Sequence, residues 1–160
     1  MTDETWMRAA IDLAREAEAG GDVPIGAIVV RDDQVIARAG NRTVRDQDPT
    51  AHAQVLAIRE AARAIRSWRL RGCALSATLE PCAMCAGAIV LSRLDRLVFG
   101  AWDEKAGMVG SLGDIVRHPR LNHRAQVRGG VLEPECSAML GEFFQELRSG
   151  PTRTDHDRTV

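Results

Sequence analysis

No uninterrupted apolar run in this sequence approaches the length of a membrane span, so no transmembrane helix is expected. A basic leader is missing too: Met1-Thr2-Asp3-Glu4 carries acids where a secretory signal carries positive charge, and a cytoplasmic location is the expectation. Excess charge of one sign is absent, because 21 Lys+Arg stand against 22 Asp+Glu for a formal net charge of -1. That excludes a global basic field of the kind that gathers nucleic acid. Lysine is nearly absent, Lys105 being the only one, so the positive charge is almost wholly arginine. Cysteine is sparse, and without an export signal Cys73, Cys82, Cys85 and Cys136 argue for a metal site or free thiols rather than a disulfide framework. Cys73 and Cys136 read as buried small hydrophobes.

What is present suits one globular domain: 160 residues, 45% hydrophobic and 27% charged. Trp6, Ala9, Ala10, Leu13, Ala14 and Ala17 share one face of a first helix that Gly20-Gly21 stops. Runs 23–31 and 34–39 predict a hairpin turning at Asp32-Asp33, followed by a loop to Pro49. Thr50 is expected to cap a second helix reaching Arg66. A strand over 73–79, a helix over 83–91 and a strand over 96–100 imply a parallel pair with a crossover. A helical turn near 113–118, a fifth strand near 125–128 and a final helix from Pro134 complete the pattern, the last burying Cys136, Met139, Leu140, Phe143, Phe144 and Leu147. The expected architecture is a three-layer α/β/α domain over residues 1–150, with a five-stranded mixed sheet between helices and a disordered tail over 151–160.

Two segments carry chemistry. His52 and the run Pro81-Cys82-Ala83-Met84-Cys85 supply one imidazole and two thiolates, and three protein ligands leave a zinc ion an open fourth position for water. Cysteines three apart share a helix face, and a helix N-terminus favours thiolates. A Cys-x-x-Cys alone reads as a redox pair, and a histidine in Ala-His-Ala alone reads as a core residue; the combination, on two helix starts, reads as one zinc per chain. A second stretch, between Ile115 and Leu132, holds Arg117, Arg120, Arg124 and Arg128 with His118 and His123 and no acid. It reads equally as a solvated surface or a phosphate-binding patch.

Pro49-Thr50-Ala51-His52-Ala53-Gln54 and Thr78-Leu79-Glu80-Pro81-Cys82-Ala83-Met84-Cys85-Ala86-Gly87-Ala88 resemble the two signatures of the cytidine/deoxycytidylate deaminase superfamily. Within it the chain is similar to the bacterial tRNA-specific adenosine deaminases from about Trp6 to Arg148, through Val23-Pro24-Ile25-Gly26-Ala27, Gly40-Asn41-Arg42, Val98-Phe99-Gly100-Ala101, Gly110-Ser111-Leu112 and the segment from His118-Pro119 to Asn122-His123-Arg124. The resemblance implies deamination of adenosine to inosine at the wobble position of a tRNA anticodon, with tRNA-Arg as the expected substrate. In that chemistry zinc-activated water attacks C6 of a flipped adenine, and a glutamate two residues after the histidine shuttles the protons. It further implies that Asn41 contacts the flipped nucleotide, Ile25 lines the base pocket, the backbone near Ala53 meets the purine edge, and Asp103 and Phe144 meet flanking loop nucleotides. Helical spacing alone favours core packing for Phe144, and Asn41 reads equally as a turn residue. The resemblance implies as partners a tRNA anticodon stem-loop and a second copy of the chain.

Three positions depart from the family pattern: Thr43 where proline is common, Trp102 where a basic residue can occur, and Gln54 in place of the glutamate. A carboxamide cannot accept and return a proton, and general acid–base help is worth about 10² to 10⁴ in rate. The chain is therefore expected to bind metal and RNA while turning over scarcely at all. Two other readings stand beside this one: a zinc deaminase of a free base or nucleoside such as guanine or cytosine, and a non-catalytic RNA-binding subunit that keeps zinc for folding.

Overall fold

The computed structural model describes residues 1–150; residues 151–160, where the tail is expected, lie outside the described residues. Helix α1 (Asp3–Ala19) starts at Thr2, whose side-chain oxygen accepts from the Thr5 N–H at 3.2 Å, and buries Met7, Ala10, Ile11, Ala14 and Ala17 along one stripe. Strands β1 (Gly26–Arg31) and β2 (Gln34–Gly40) form the expected hairpin. Asp32 and Asp33 both have positive φ, as a two-residue type I′ turn requires. Helix α2 (Ala53–Ile65) leads through Arg66, left-handed at φ 55°, to β3 (Cys73–Leu79). Then come α3 (Ala83–Leu91), β4 (Arg96–Ala101), β5 (Gln126–Arg128) and α4 (Glu133–Ser149).

The sheet order is β2-β1-β3-β4-β5, with β1 antiparallel to β2 and β3, and β3, β4 and β5 mutually parallel. Period-two alternation sorts the strand side chains onto two faces. Ala27, Val29, Leu75, Ala77, Leu97 and Phe99 join Ala57, Ala61, Ala86 and Ile89 of α2 and α3 in one core. Val98 and Ala101 join Met7, Ala10, Ile11 and Ala14 of α1 and Cys136 and Met139 of α4 in the other. This is the expected α/β/α sandwich. The α1 side is close-fitting, since a Cβ on Gly26 would lie 2.0 Å from the Ala10 carbonyl oxygen.

Three expectations are corrected and one is narrowed. Thr50 does not cap α2: its N–H and hydroxyl both donate to Asp48 Oδ1, at 2.8 and 2.7 Å, in a turn that competes with capping, and His52 holds the cap position. The first strand begins at Gly26, not Val23. The helical turn expected over 113–118 narrows to one turn, closed by the His118 N–H donating to the Ile115 carbonyl at 3.2 Å, beside a bridge between Val109 and Asp114. On α4 only Cys136 and Met139 are buried; Phe143, Phe144 and Leu147 stay half-exposed because the helix outruns the β4 surface on which it packs.

Candidate metal centre and active site

The centre is built from two helix starts. His52 is the N-cap of α2 and Cys82 the N-cap of α3, both with extended backbone, and neither side chain makes a capping hydrogen bond to its helix. Serine, threonine, aspartate or asparagine would turn back to cap the first turn. An imidazole and a thiol at these positions project toward each other instead, and Cys85, on the first turn of α3, completes the group. His52 Nδ1 lies 3.5 Å from Cys82 Sγ and 3.5 Å from Cys85 Sγ. A tetrahedral zinc with bonds of about 2.05 Å to nitrogen and about 2.3 Å to sulfur requires N···S edges of about 3.6 Å. The donor set and its spacing therefore fit zinc through Nδ1 and two thiolates.

The two sulfurs hold each other's protons unequally. Cys82 is drawn below the ordinary thiol range by the hydrogen bond from Cys85, against desolvation, and further by His52. Cys85 is pushed up by the same pairing and by burial. One thiolate is thus already favoured, and metal binding would displace the remaining proton.

Gln54, on the first turn of α2, is 3% exposed. Its Nε2 donates to the Leu79 carbonyl at 3.3 Å, and its Oε1 lies 3.8 Å from Cys85 Sγ as acceptor. The carboxamide thus touches the metal-ligand cluster. Ala53, fully buried, is the first helical residue, whose N–H no carbonyl of its own helix can receive. The Ile25 carbonyl accepts from Asn41 N–H at 2.9 Å, and Arg42 N–H donates to Ala51 at 3.0 Å, which straps this segment beside His52. Asp103 caps its own turn, with Oδ1 accepting from Lys105 and Ala106 N–H at 3.1 and 3.2 Å. Phe144 stands apart on half-exposed α4, edge-to-face with Phe143 at 5.4 Å.

Two of the four arginines in the arginine-rich stretch, Arg117 and Arg128, are ion-paired. Arg117 pairs with Asp114 at 2.6 Å, Arg128 pairs with Asp3 and Glu4 at 2.6 and 3.3 Å, and Arg124 donates to the Pro119 carbonyl. Only Arg128 reaches α1, while Arg120 and Arg124 remain exposed, so the solvated-surface and phosphate-patch readings both stand.

Glu80 was not singled out by sequence reasoning. It is 1% exposed and accepts from the N–H groups of Asp103, Val109 and Ser111 at 3.0, 3.0 and 3.1 Å, and from the Ser111 hydroxyl. Burial would raise its pKa, but these hydrogen bonds outweigh it and hold the carboxyl below the usual range. A Cβ on Gly107 would fall 2.3 Å from the Glu80 carboxyl carbon, so loop 103–111 can close over that carboxylate only with glycine there. The one local signal was an acid in an otherwise apolar run beside Pro81.

Residues 1–101 match the family described as the cytidine and deoxycytidylate deaminase zinc-binding region. The chain belongs to that family. It is 51% identical over 146 residues to the tRNA-specific adenosine deaminase of Bacillus subtilis, spanning 91% of both chains. A solved structure from work on A-to-I editing by tRNA deaminases at the wobble position superimposes with a TM-score of 0.82 at 44% identity, over 85% of this chain and 99% of that one. Guanine deaminase from Nitrosomonas europaea is more distant within the same fold, with a TM-score of 0.72 at 28% identity over 88% and 83% of the two chains.

Proposed function

We propose that this chain is a zinc-dependent tRNA adenosine deaminase domain over residues 1–150, acting in the cytoplasm on the wobble adenosine of an anticodon stem-loop, tRNA-Arg first among the candidates. The observation that carries the substrate is that likeness to the Bacillus subtilis enzyme covers 91% of both chains rather than the zinc segments alone. His52, Cys82 and Cys85 hold the metal, which when bound lowers the pKa of a water to about 7 and so supplies a nucleophile at neutral pH. Ile25 lines the base pocket, Asn41 meets the flipped nucleotide, and the N–H of Ala53 meets the purine edge. Asp103 and Phe144 contact the flanking nucleotides, where the exposed part of the Phe144 ring offers a stacking face.

Gln54 occupies the proton-shuttle position. Its carboxamide keeps the size and the hydrogen bonds of the site but moves no proton, so binding is retained and turnover is slow. Restoring Gln54→Glu and measuring inosine in the stem-loop tests the proposal; a restored, zinc-loaded chain that leaves the RNA unchanged and instead releases ammonia from guanine or cytosine would overturn it. A chain that binds the RNA and stays inert after restoration would identify a non-catalytic zinc-containing RNA-binding subunit.

The chain acts as a homodimer in this reading. Helix α3 is apolar on all sides, as in a helix enclosed by protein, yet Leu91 is 70% exposed and a Cβ on Gly87 would meet nothing within 4 Å. A second copy covering this face would resolve that mismatch, and sedimentation of the chain with and without Leu91→Glu measures it.

A further inference from the structure

Asn41 holds the one buried side-chain polar atom without a protein partner among the described residues: its Oδ1 accepts no hydrogen bond, although only 3% of the residue is exposed. The opposite end of the same amide is tightly specified. Its Nδ2 donates to Thr43 Oγ1 at 3.1 Å, and the Thr43 hydroxyl donates to Asp22 Oδ1 at 3.4 Å. Asp22 is fully buried and also accepts the Val44 and Arg45 N–H groups at 2.8 and 3.0 Å.

The direction of this relay follows from proton inventory. A carboxylate only accepts, so the single Thr43 proton goes to Asp22 and only hydroxyl lone pairs face Asn41. The NH₂ end of the amide must sit there, and the carbonyl end must face the other way. Asp22 thus determines, through Thr43, which end of Asn41 a ligand meets. The Asn41 N–H donates to the Ile25 carbonyl and the Arg42 N–H to the Ala51 carbonyl, which holds the backbone of this loop against the segment that leads into His52.

The ligand donor can be deduced from the chemistry of an internal RNA nucleotide, and here the inference rests on the functional reading above. Adenine offers one exocyclic donor, the N6 amino group, and that is the group replaced at the metal. The 3′ and 5′ oxygens are esterified and carry no proton. The ribose 2′-hydroxyl is the remaining donor, and it is the group that distinguishes RNA from DNA. We propose that Asp22 and Thr43 are positioning residues that fix the polarity of the Asn41 amide, so that it accepts from the 2′-hydroxyl of the target adenosine.

The test uses three anticodon stem-loops that differ only at the 2′ position of the target adenosine, carrying hydroxyl, hydrogen or fluorine, with binding to the zinc-loaded chain followed by fluorescence anisotropy. The hydroxyl RNA should bind tightest and the deoxy RNA about three- to tenfold more weakly. The fluoro RNA should do no better than the deoxy RNA, because fluorine has no proton to offer Oδ1. Thr43→Val frees the amide to turn, and the hydroxyl-to-fluoro gap should close to about twofold or less, with Thr43→Ser restoring it. A relay that merely stiffens the loop would weaken all three RNAs equally in Thr43→Val and keep their order, which would overturn the inference. Tight binding of all three RNAs without discrimination would overturn it while leaving the functional reading intact. Failure of the unmodified chain to bind any of them would overturn both.

Discussion

Cys85 and Cys136 are both fully buried thiols on helices that pack against one sheet, from opposite faces. On the α2/α3 face, Cys85 has His52, Cys82 and Gln54 as neighbours, and the thiols divide their protons unequally. On the α1/α4 face, Cys136 sits among Met7, Val98 and Met139, its Sγ pressed toward Gly100, and desolvation, helped by the nearby Glu135 carboxylate, lifts its pKa to about 11. Burial and residue type are the same. Reactivity differs because helix starts converge on one face, whereas helix flanks lie on the other. A substitution on the first face should change chemistry, and one on the second should change stability.

The largest effect that can break this contrast is on metal content. Cys82→Ser is expected to reduce zinc from about one per chain to near none by elemental analysis, whereas Cys136→Ala leaves it unchanged. Equal loss in both would mean that the two faces are not distinct. Next is Gln54→Glu, expected to raise the rate of inosine formation by about 10² to 10⁴ with little change in RNA affinity, as read from single-turnover kinetics and a binding titration. On the opposite face, Met7→Ala should cost about 2–5 kcal/mol in denaturant unfolding while leaving the kcat of the Gln54→Glu chain within about twofold.

The smallest effect depends on pH. Asp3 on α1 is gripped by Arg96 at 2.5 and 2.8 Å and by Arg128, and the Arg96 hydrogen bonds, ahead of the other contributions, lower its pKa from 3.8 to about 2. A carboxyl depressed in the folded state stabilises above its unfolded pKa, and that contribution fades as pH falls from about 4 through about 2. Asp3→Asn should therefore cost about 1–2 kcal/mol at pH 7, allowing for partial exposure of the arginines, and close to nothing near pH 2. Unfolding midpoints across that range provide the measurement; an equal loss at both ends would assign Asp3 a packing role instead.

The metal triad was legible because its ligands sit in two short motifs whose spacing survives folding. The sheet and its helices were legible because period and turn chemistry are local. The anchors were not. Asp22 and Glu80 act on residues more than twenty positions away, Val44 and Ser111 among them, and a lone acid carries no periodicity that announces a distant N–H. Thr50 differs from the expectation because threonine before an apolar run suits a cap, whereas Asp48 holds it in a turn and the helix begins three residues later, at Ala53. The face of α4 was read from its spacing, but spacing reports only that a stripe is apolar, not how far the sheet beneath it extends.

The cap positions of α2 and α3 have a consequence for folding order. Two helix beginnings point their cap-position side chains into a shared space, so one ion bound between them would tie both helix starts together. Metal supply would then govern fraying: in a chelated chain the amides of Val55 and Ala83 should exchange with solvent sooner than those at the far ends of the same helices, and the loss should appear in both helices together.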